Sequence, residues 1–363
     1  MSTEIENLQT YLLDTLLEHQ RYLDLTSEHL DDFAELITDQ SLLKRFIKKY
    51  KDIPTVQDKL IEHFDWRINH NIAGMNYSTV GNIVLQYMTD GIFRFHKFDL
   101  KGRPVCYILP KFFKKENGIE GLKSTVIYAL EILRRWTCGN DNFQVLIVMD
   151  LEDFGLIQMD YESVPLIYEI FRNHYPQLVG QAIVLNYGWI HAGIWNFIRP
   201  ILSAEARDKL VFVGAEKLID YIPIENIPTY YGGLDSSYPV KPEVCPIIQA
   251  YGGLVKGQKT AEQKYIRDAL RRNLHQIPNS PYINSPYMLD GDLYYDAVTK
   301  PIHAKSAADL QSLLHTQAKF TGGGFGRTLS STSLSTLTKL ALQNRIMMYL
   351  LVTMIQRNGK RGI

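Results

Sequence analysis

Cysteine is scarce: Cys106, Cys138 and Cys245 stand far apart in 363 residues, and no Cys-x-x-Cys pair occurs. An odd number at wide spacing excludes a disulfide framework and a zinc ribbon, and points to reduced thiols in the cytosol. An excess of charge of one sign is missing too. Lys and Arg total 39, Asp and Glu total 39, and the pI is near 7.1, so the whole chain is not an electrostatic binder of nucleic acid. Long apolar runs are absent, the longest falling well short of the roughly 20 residues of a membrane-spanning helix. The first apolar residues alternate with Glu4, Glu6, Asp14 and Glu18, so no secretion signal is expected.

Catalytic signatures are equally sparse. No Gly-x-Ser-x-Gly elbow is present, and the glycine run Gly322 to Gly326 lacks the spacing and the lysine of a phosphate loop. His63 and His70, or His174 and His191, have no metal-ligand spacing. The expectation is a protein without catalytic residues, metal or cofactor.

The remaining pattern is structural. Residues 4–37 carry apolar side chains at helical spacing, with Thr26-Ser27-Glu28 as an internal break and cap. Two amphipathic helices follow around Asp52-Ile53-Pro54, the first holding the basic run Lys44 to Lys51 and the second ending near an inward Trp66. Residues 91–109 read as a hairpin turning at Asp99 to Gly102, and residues 119–136 as a helix stopped at Gly139. Gln144 to Asp150 and Gln181 to Asn186 are Val- and Ile-rich runs of the kind that form strands buried on both faces, with residues 160–174 as the crossover and Lys209 to Gly214 as a third strand. The fold class is α/β. Past residue 235, Thr260 to Gln263 reads as a capping box for a helix carrying Tyr265, Ile266, Ala269, Leu270 and Leu274. From Leu310 onward no Asp or Glu occurs, and the chain ends basic after a short apolar segment, Ile346 to Ile355.

Several of these stretches, in order and spacing, resemble the Sec14-like (CRAL-TRIO) lipid-binding family over residues 39–235: Leu-Leu-Lys-Arg-Phe with Trp66-Arg67, His96 to Val105, Val148-Met149-Asp150-Leu151, Tyr175-Pro176, Arg199-Pro200-Ile201-Leu202, and Ile227-Pro228 with Tyr231-Gly232-Gly233. The resemblance implies a mixed, mostly parallel sheet flooring an apolar pocket, preceded by a small all-α unit. The expected organisation is a helical unit at 1–80, a lipid-binding domain at 81–235 and a C-terminal extension at 236–363. It further implies a single lipid as ligand and a movable helix that closes the pocket, whose place is taken by Trp189, Ile190, Ile194, Trp195, Phe197, Ile198, Arg199, Ile201 and Leu202. That segment is too apolar for an ordinary surface helix, which independently suits a gate that touches a bilayer; a buried core helix is the plainer reading of the residues alone.

Residue by residue, the resemblance places a phosphate-binding role on Lys51, Lys209 and Gln177, the last standing where phosphatidylinositol-binding members have an acid. Tyr50 and Ala206 depart from that pattern. The positions of the family's phosphatidylcholine contacts fall on Phe95, Cys106, Val145 and Ile147, none of which carries a hydroxyl, so these residues, with Met149, are expected to line a hydrocarbon-preferring pocket. An acyl chain of ~16 carbons left in water costs on the order of 13 kcal/mol, which is why a carrier needs a closed cavity. The expected protein is a cytoplasmic, peripherally membrane-associated carrier of phosphatidylinositol or another hydrophobic ligand. The alternative is a lipid-loaded adaptor that transfers nothing and recruits a protein partner through its C-terminal extension.

Overall fold

The computed structural model describes residues 2–18, 22, 25–139, 142–155, 160–238, 241–253 and 259–276. The expectations for residues 277–363, including the basic end and the apolar segment 346–355, lie outside the described residues. In chain order the described elements are helices α1 (Ser2–Glu18), α2 (Ser27–Thr38), α3 (Gln40–Tyr50), α4 (Ile53–Asn69) and α5 (Asn82–Asp90); strands β1 (Phe93–Phe98) and β2 (Pro104–Ile108); then α6 (Gly118–Trp136), β3 (Val145–Asp150), α7 (Ser163–His174), β4 (Val179–Leu185), α8 (Trp189–Ile198), α9 (Ala204–Asp208), β5 (Leu210–Phe212), α10 (Pro246–Tyr251) and α11 (Ala261–Gln276).

Helix starts follow their capping chemistry. Thr26 accepts from the His29 amide, Asp39 from Leu42 at 2.9 Å and Asp52 from Thr55 at 3.0 Å, each satisfying an amide that the helix leaves unpaired. Helices α1 to α4 bury Leu8, Leu12, Phe33, Leu43, Phe46, Leu60 and Phe64 in one cluster. Ile266 and Leu270 of α11 complete that cluster, although some 200 residues separate them from the end of α4. The Thr260 and Gln263 box forms as expected, with the Gln263 amide donating to the Thr260 hydroxyl at 3.1 Å.

The sheet has the order β1-β2-β3-β4-β5, with β1 antiparallel to β2 and the remaining pairs parallel. Because spatial order follows chain order, right-handed crossovers all fall on one face. On that face Phe95, Cys106, Ile147 and Ala182 stand in one row across the sheet, and with Phe93 and Val145 they pack beneath α6 together with α5, α7 and α10. On the other face Val105, Tyr107, Leu146, Val148 and Ile183 pack under the turns that hold Leu218, Ile222, Ile227 and Tyr231. Both faces are covered, which accounts for the unbroken apolar runs in β3 and β4.

An ionic network joins the helical unit to the sheet domain. Arg67 of α4 is fully buried; its Nε and Nη2 donate to Asp32 at 2.7 and 2.6 Å, and its Nη1 donates to Glu131 of α6 at 2.7 Å. Arg134 continues the chain of charge to Asp39 at 3.1 Å and Glu35 at 2.6 Å, and the Tyr175 hydroxyl donates to Glu131 at 2.7 Å. Burial alone would raise the Glu131 carboxyl, but Arg134 and then Arg67 outweigh it and hold the group well below the usual range.

Candidate functional site

The outer row of the helix-covered face opens towards solvent. Phe93, Ile108, Met149, Val184 and Phe212 stand side by side in register, and while Phe93 and Val184 are buried, Ile108 and Met149 are half-buried and Phe212 is 39% exposed. Among the residues expected to line a pocket, Met149 therefore lies at this opening. Phe95, Cys106, Val145 and Ile147 are instead packed in the core, where Phe95 borders a small crevice with Met88, Cys245 and Ile248.

Helix α8 carries the aromatic segment at this end of the sheet. Gly188 precedes it, and its amide donates to His191 Nδ1 at 2.8 Å while His191 Nε2 pairs with the Phe154 carbonyl at 2.8 Å; one neutral tautomer satisfies both contacts. Ile194 is buried, and the Trp195 ring meets Phe212 at 5.2 Å, with Tyr187 on Phe212 at 4.8 Å and Tyr161 on Phe197 at 4.7 Å. Phe197, Tyr161, Tyr187 and Phe212 are each exposed by more than a third, two apolar ring pairs held open to water. Ile198, Ile201 and Leu202 are half-buried, Arg199 is exposed, and the side chains of Trp189 and Ile190 lie outside the described residues. Beyond α8, Arg207 of α9 donates to the carbonyls of Arg199 at 3.2 Å and Leu202 at 3.0 Å, capping the helix end. The segment 190–202 is thus one helix followed by a capped turn.

Of the expected phosphate-binding residues, two meet and one does not. Lys209 Nζ lies 3.4 Å from Gln177 Oε1, but Lys51 is exposed at the end of α3, in a left-handed backbone conformation. The second ammonium of the cluster belongs to Lys49, 3.5 Å from Glu205, which also takes Lys209 at 3.1 Å and the Gln177 amide. Gln177 is itself at φ 56, in the tight turn from α7 to β4, with its carbonyl held by Gln144 at 3.1 Å. The Gln177 hydrogen bond, and after it Lys209, pulls the Glu205 carboxyl down to about 2. Glu205 escaped the sequence reading because its only local signal is a Lys four residues later.

Sequence spacing also missed a histidine pair between α4 and α7. His63 and His174 face each other at 3.4 Å through their Nδ1 atoms, and Trp66 stacks on His174 with centroids 3.8 Å apart. Burial lowers both: His63 well below its usual value, and His174 to about 3 with further lowering by His70 and Arg67. Groups neutral when folded but protonated when unfolded subtract stability as pH falls below about 6.5. Urea unfolding is expected to show a loss of up to about 1.4 kcal/mol per pH unit for each histidine below that point. His174→Asn should reduce the slope between pH 6 and 5 by up to about 1.4 kcal/mol per pH unit, with the rest left to the other lowered histidines, His63, His96 and His29; an unchanged slope would place the protonation elsewhere.

Residues 88–233 match the family model of the CRAL/TRIO domain. Over those residues the chain carries a CRAL/TRIO domain and is similar to Sec14-like proteins. A CRAL-TRIO domain-containing protein of Schizosaccharomyces pombe is 27% identical over 217 residues, covering 57% of this chain and 59% of that protein. The phosphatidylinositol transfer protein CSR1 of Eremothecium gossypii is 28% identical over 208 residues, covering 54% and 47%. The chain thus spans about half the length of the curated relatives it matches, 59% and 47%. The crystal structure of Sfh5 shares the fold at a TM-score of 0.52 and 19% identity, over 75% of this chain and 96% of that one. The expected α/β architecture with a mostly parallel sheet therefore holds, and the expected resemblance is matched by a CRAL/TRIO domain over residues 88–233. No described helix of the chain is long and apolar enough to cross a membrane.

Proposed function

We propose that this chain holds one amphipathic lipid in an apolar pocket over the helix-covered face of its sheet, closed by α8, and exchanges that lipid at membranes as a cytoplasmic, peripherally associated carrier. The observation that carries this reading is the exposure of two ring pairs around α8, Tyr161 with Phe197 and Tyr187 with Phe212, beside the half-open row of Ile108 and Met149. Such a surface is costly in water and is relieved by contact with lipid. The division into a helical unit at 1–80, a lipid-binding domain at 81–235 and an extension at 236–363 belongs to the same reading.

Phosphatidylinositol is the favoured ligand, as in the name of the Eremothecium relative. Lys209, Gln177 and Lys51 are assigned to its phosphate, with Lys49 joining them on the strength of its position beside Lys209 and Glu205. Phe95, Cys106, Val145 and Ile147 offer no hydroxyl, which favours hydrocarbon at the inner end. Mass spectrometry of lipid extracted from the purified protein, paired with fluorescent-lipid transfer between vesicles, tests the proposal. Transfer of phosphatidylinositol is expected. Lipid that stays bound with no exchange of any species tested sinks the carrier reading in favour of an adaptor. Lys51→Ala with Lys209→Ala is expected to weaken phosphatidylinositol binding by about ten-fold or more, from lost charge-assisted hydrogen bonds. Unchanged binding would show that the phosphate lies elsewhere.

A further inference from the structure

The two ammoniums at the head-group cluster are already occupied. Glu205 spreads its carboxylate between Lys49 at 3.5 Å and Lys209 at 3.1 Å, and takes the Gln177 amide as well. These four side chains come from three separate parts of the chain: Lys49 from α3, Gln177 from the turn after α7, and Glu205 and Lys209 from α9 and its end. The carboxylate is therefore more than a local partner of Lys209. It ties α9 to the helical unit.

Helix α9 in turn holds the end of the gate. Arg207 caps the carbonyls of Arg199 and Leu202, and the Ser203 amide, at the start of α9, donates to the Tyr168 hydroxyl at 2.9 Å. Through the short backbone of α9, Lys49 and Glu205 are thus linked to Arg207 and the turn that follows α8. The Glu205 side chain is 47% exposed and the lysines 27% and 24%, so an arriving anion can reach all three. Partly exposed ion pairs are weak and screened, which suits a contact made to be exchanged.

We propose that Glu205 is a resident counter-ion which an anionic head group must replace, and that its replacement frees α9 and with it the end of α8. This rests on the lipid-carrier reading for its biological meaning. Two ammoniums facing one carboxylate leave a single positive charge, enough for one phosphodiester. A head group bearing hydroxyls beside that phosphodiester also fits the displaced carboxylate, which accepts hydrogen bonds from hydroxyls and repels further phosphates. The site thereby selects a singly charged, hydroxyl-bearing phosphodiester over a polyanionic one, and it couples recognition of the head to opening of the gate.

Hydrogen–deuterium exchange of the full chain over residues 199–209 tests the coupling without acyl chains or vesicles. With glycerophosphoinositol as probe, exchange in the wild type is expected to rise by about two- to five-fold, the range that loss of one or two exposed ion pairs permits. Glu205→Gln is expected to start at the raised level and to respond no further. An equal response in both proteins, or none in either, overturns the coupling, and an equal response to inorganic phosphate overturns the assignment to a lipid head group. In vesicle transfer, Glu205→Gln should deliver lipid to neutral phosphatidylcholine acceptors faster than the wild type, and should lose the advantage that added phosphatidylglycerol confers. If it transfers like the wild type, the latch fails while the carrier reading stands. If the wild type moves no lipid yet responds to glycerophosphoinositol in exchange, the latch stands and the carrier reading falls.

Discussion

Arg67→Ala is expected to destabilise the protein by about 3–5 kcal/mol, the largest effect of any single substitution considered, because it strands two buried carboxylates. Asp32 and Glu131 both lose their bidentate partner, and both side chains are 2% exposed or less. Arg134 remains beside Glu131 at 3.1 Å, but among the described residues no second arginine or lysine replaces the fork on Asp32, whose partner atoms lie at 2.6 and 2.7 Å. Domains have only about 5–15 kcal/mol in total, so a loss of this size leaves a large unfolded fraction. Arg67→Lys keeps the charge without the planar fork and should fall between the two. Urea midpoints for the three proteins measure the series; a change below about 1 kcal/mol for Arg67→Ala would show that water reaches Asp32 and Glu131.

The second large effect concerns function. Phe197→Asp is expected to weaken association with vesicles by at least about ten-fold, since burying a phenylalanine contributes about 1.5–3 kcal/mol and a carboxylate in the interface opposes it. Phe197 is 37% exposed and touches Tyr161, so the substitution should leave the fold intact, with an unchanged urea midpoint. Cosedimentation with phosphatidylcholine vesicles reads the effect, and transfer should fall in step. Equal sedimentation of the two proteins would remove α8 from the membrane contact. Trp195→Ala makes a useful contrast, because the Trp195 ring packs on Phe212 and its loss would disturb the closed position of the helix as well.

What was legible in the sequence was what local chemistry specifies. The Val- and Ile-rich runs of β3 and β4, the hairpin around Asp99 to Gly102 and the caps at Thr26 and Thr260 each carry their own signal within a few residues. Helix α5 was missed because its N-cap, Gly81, offers no side chain to announce it and the helix stops within three turns at Gly91. The charged core was illegible for a different reason. Arg67 meets Asp32 across 35 residues and Glu131 across 64, so nothing in either neighbourhood marks the partners. The same holds for His63 and His174, which are 111 residues apart. Around Glu205, family correspondence named Lys209 and Gln177, which lie within hydrogen-bond reach of each other. It named Lys51 as well, which lies at the exposed end of α3 with a positive φ, while the α3 lysine paired with Glu205 is Lys49.

The placement of Ile266 and Leu270 among α1 to α4 bears on how this chain acquires its structure during synthesis. Helices α1 to α4 precede the sheet in the chain, yet their apolar cluster lacks Ile266 and Leu270 until the described sheet and α10 have been made. Contacts that close such a long loop are slow to form, and the open groove on α1 and α2 is exposed in the interval. A part translated before the sheet is therefore sealed after it, and a chain cut at residue 235 would keep every described strand while leaving that groove uncovered.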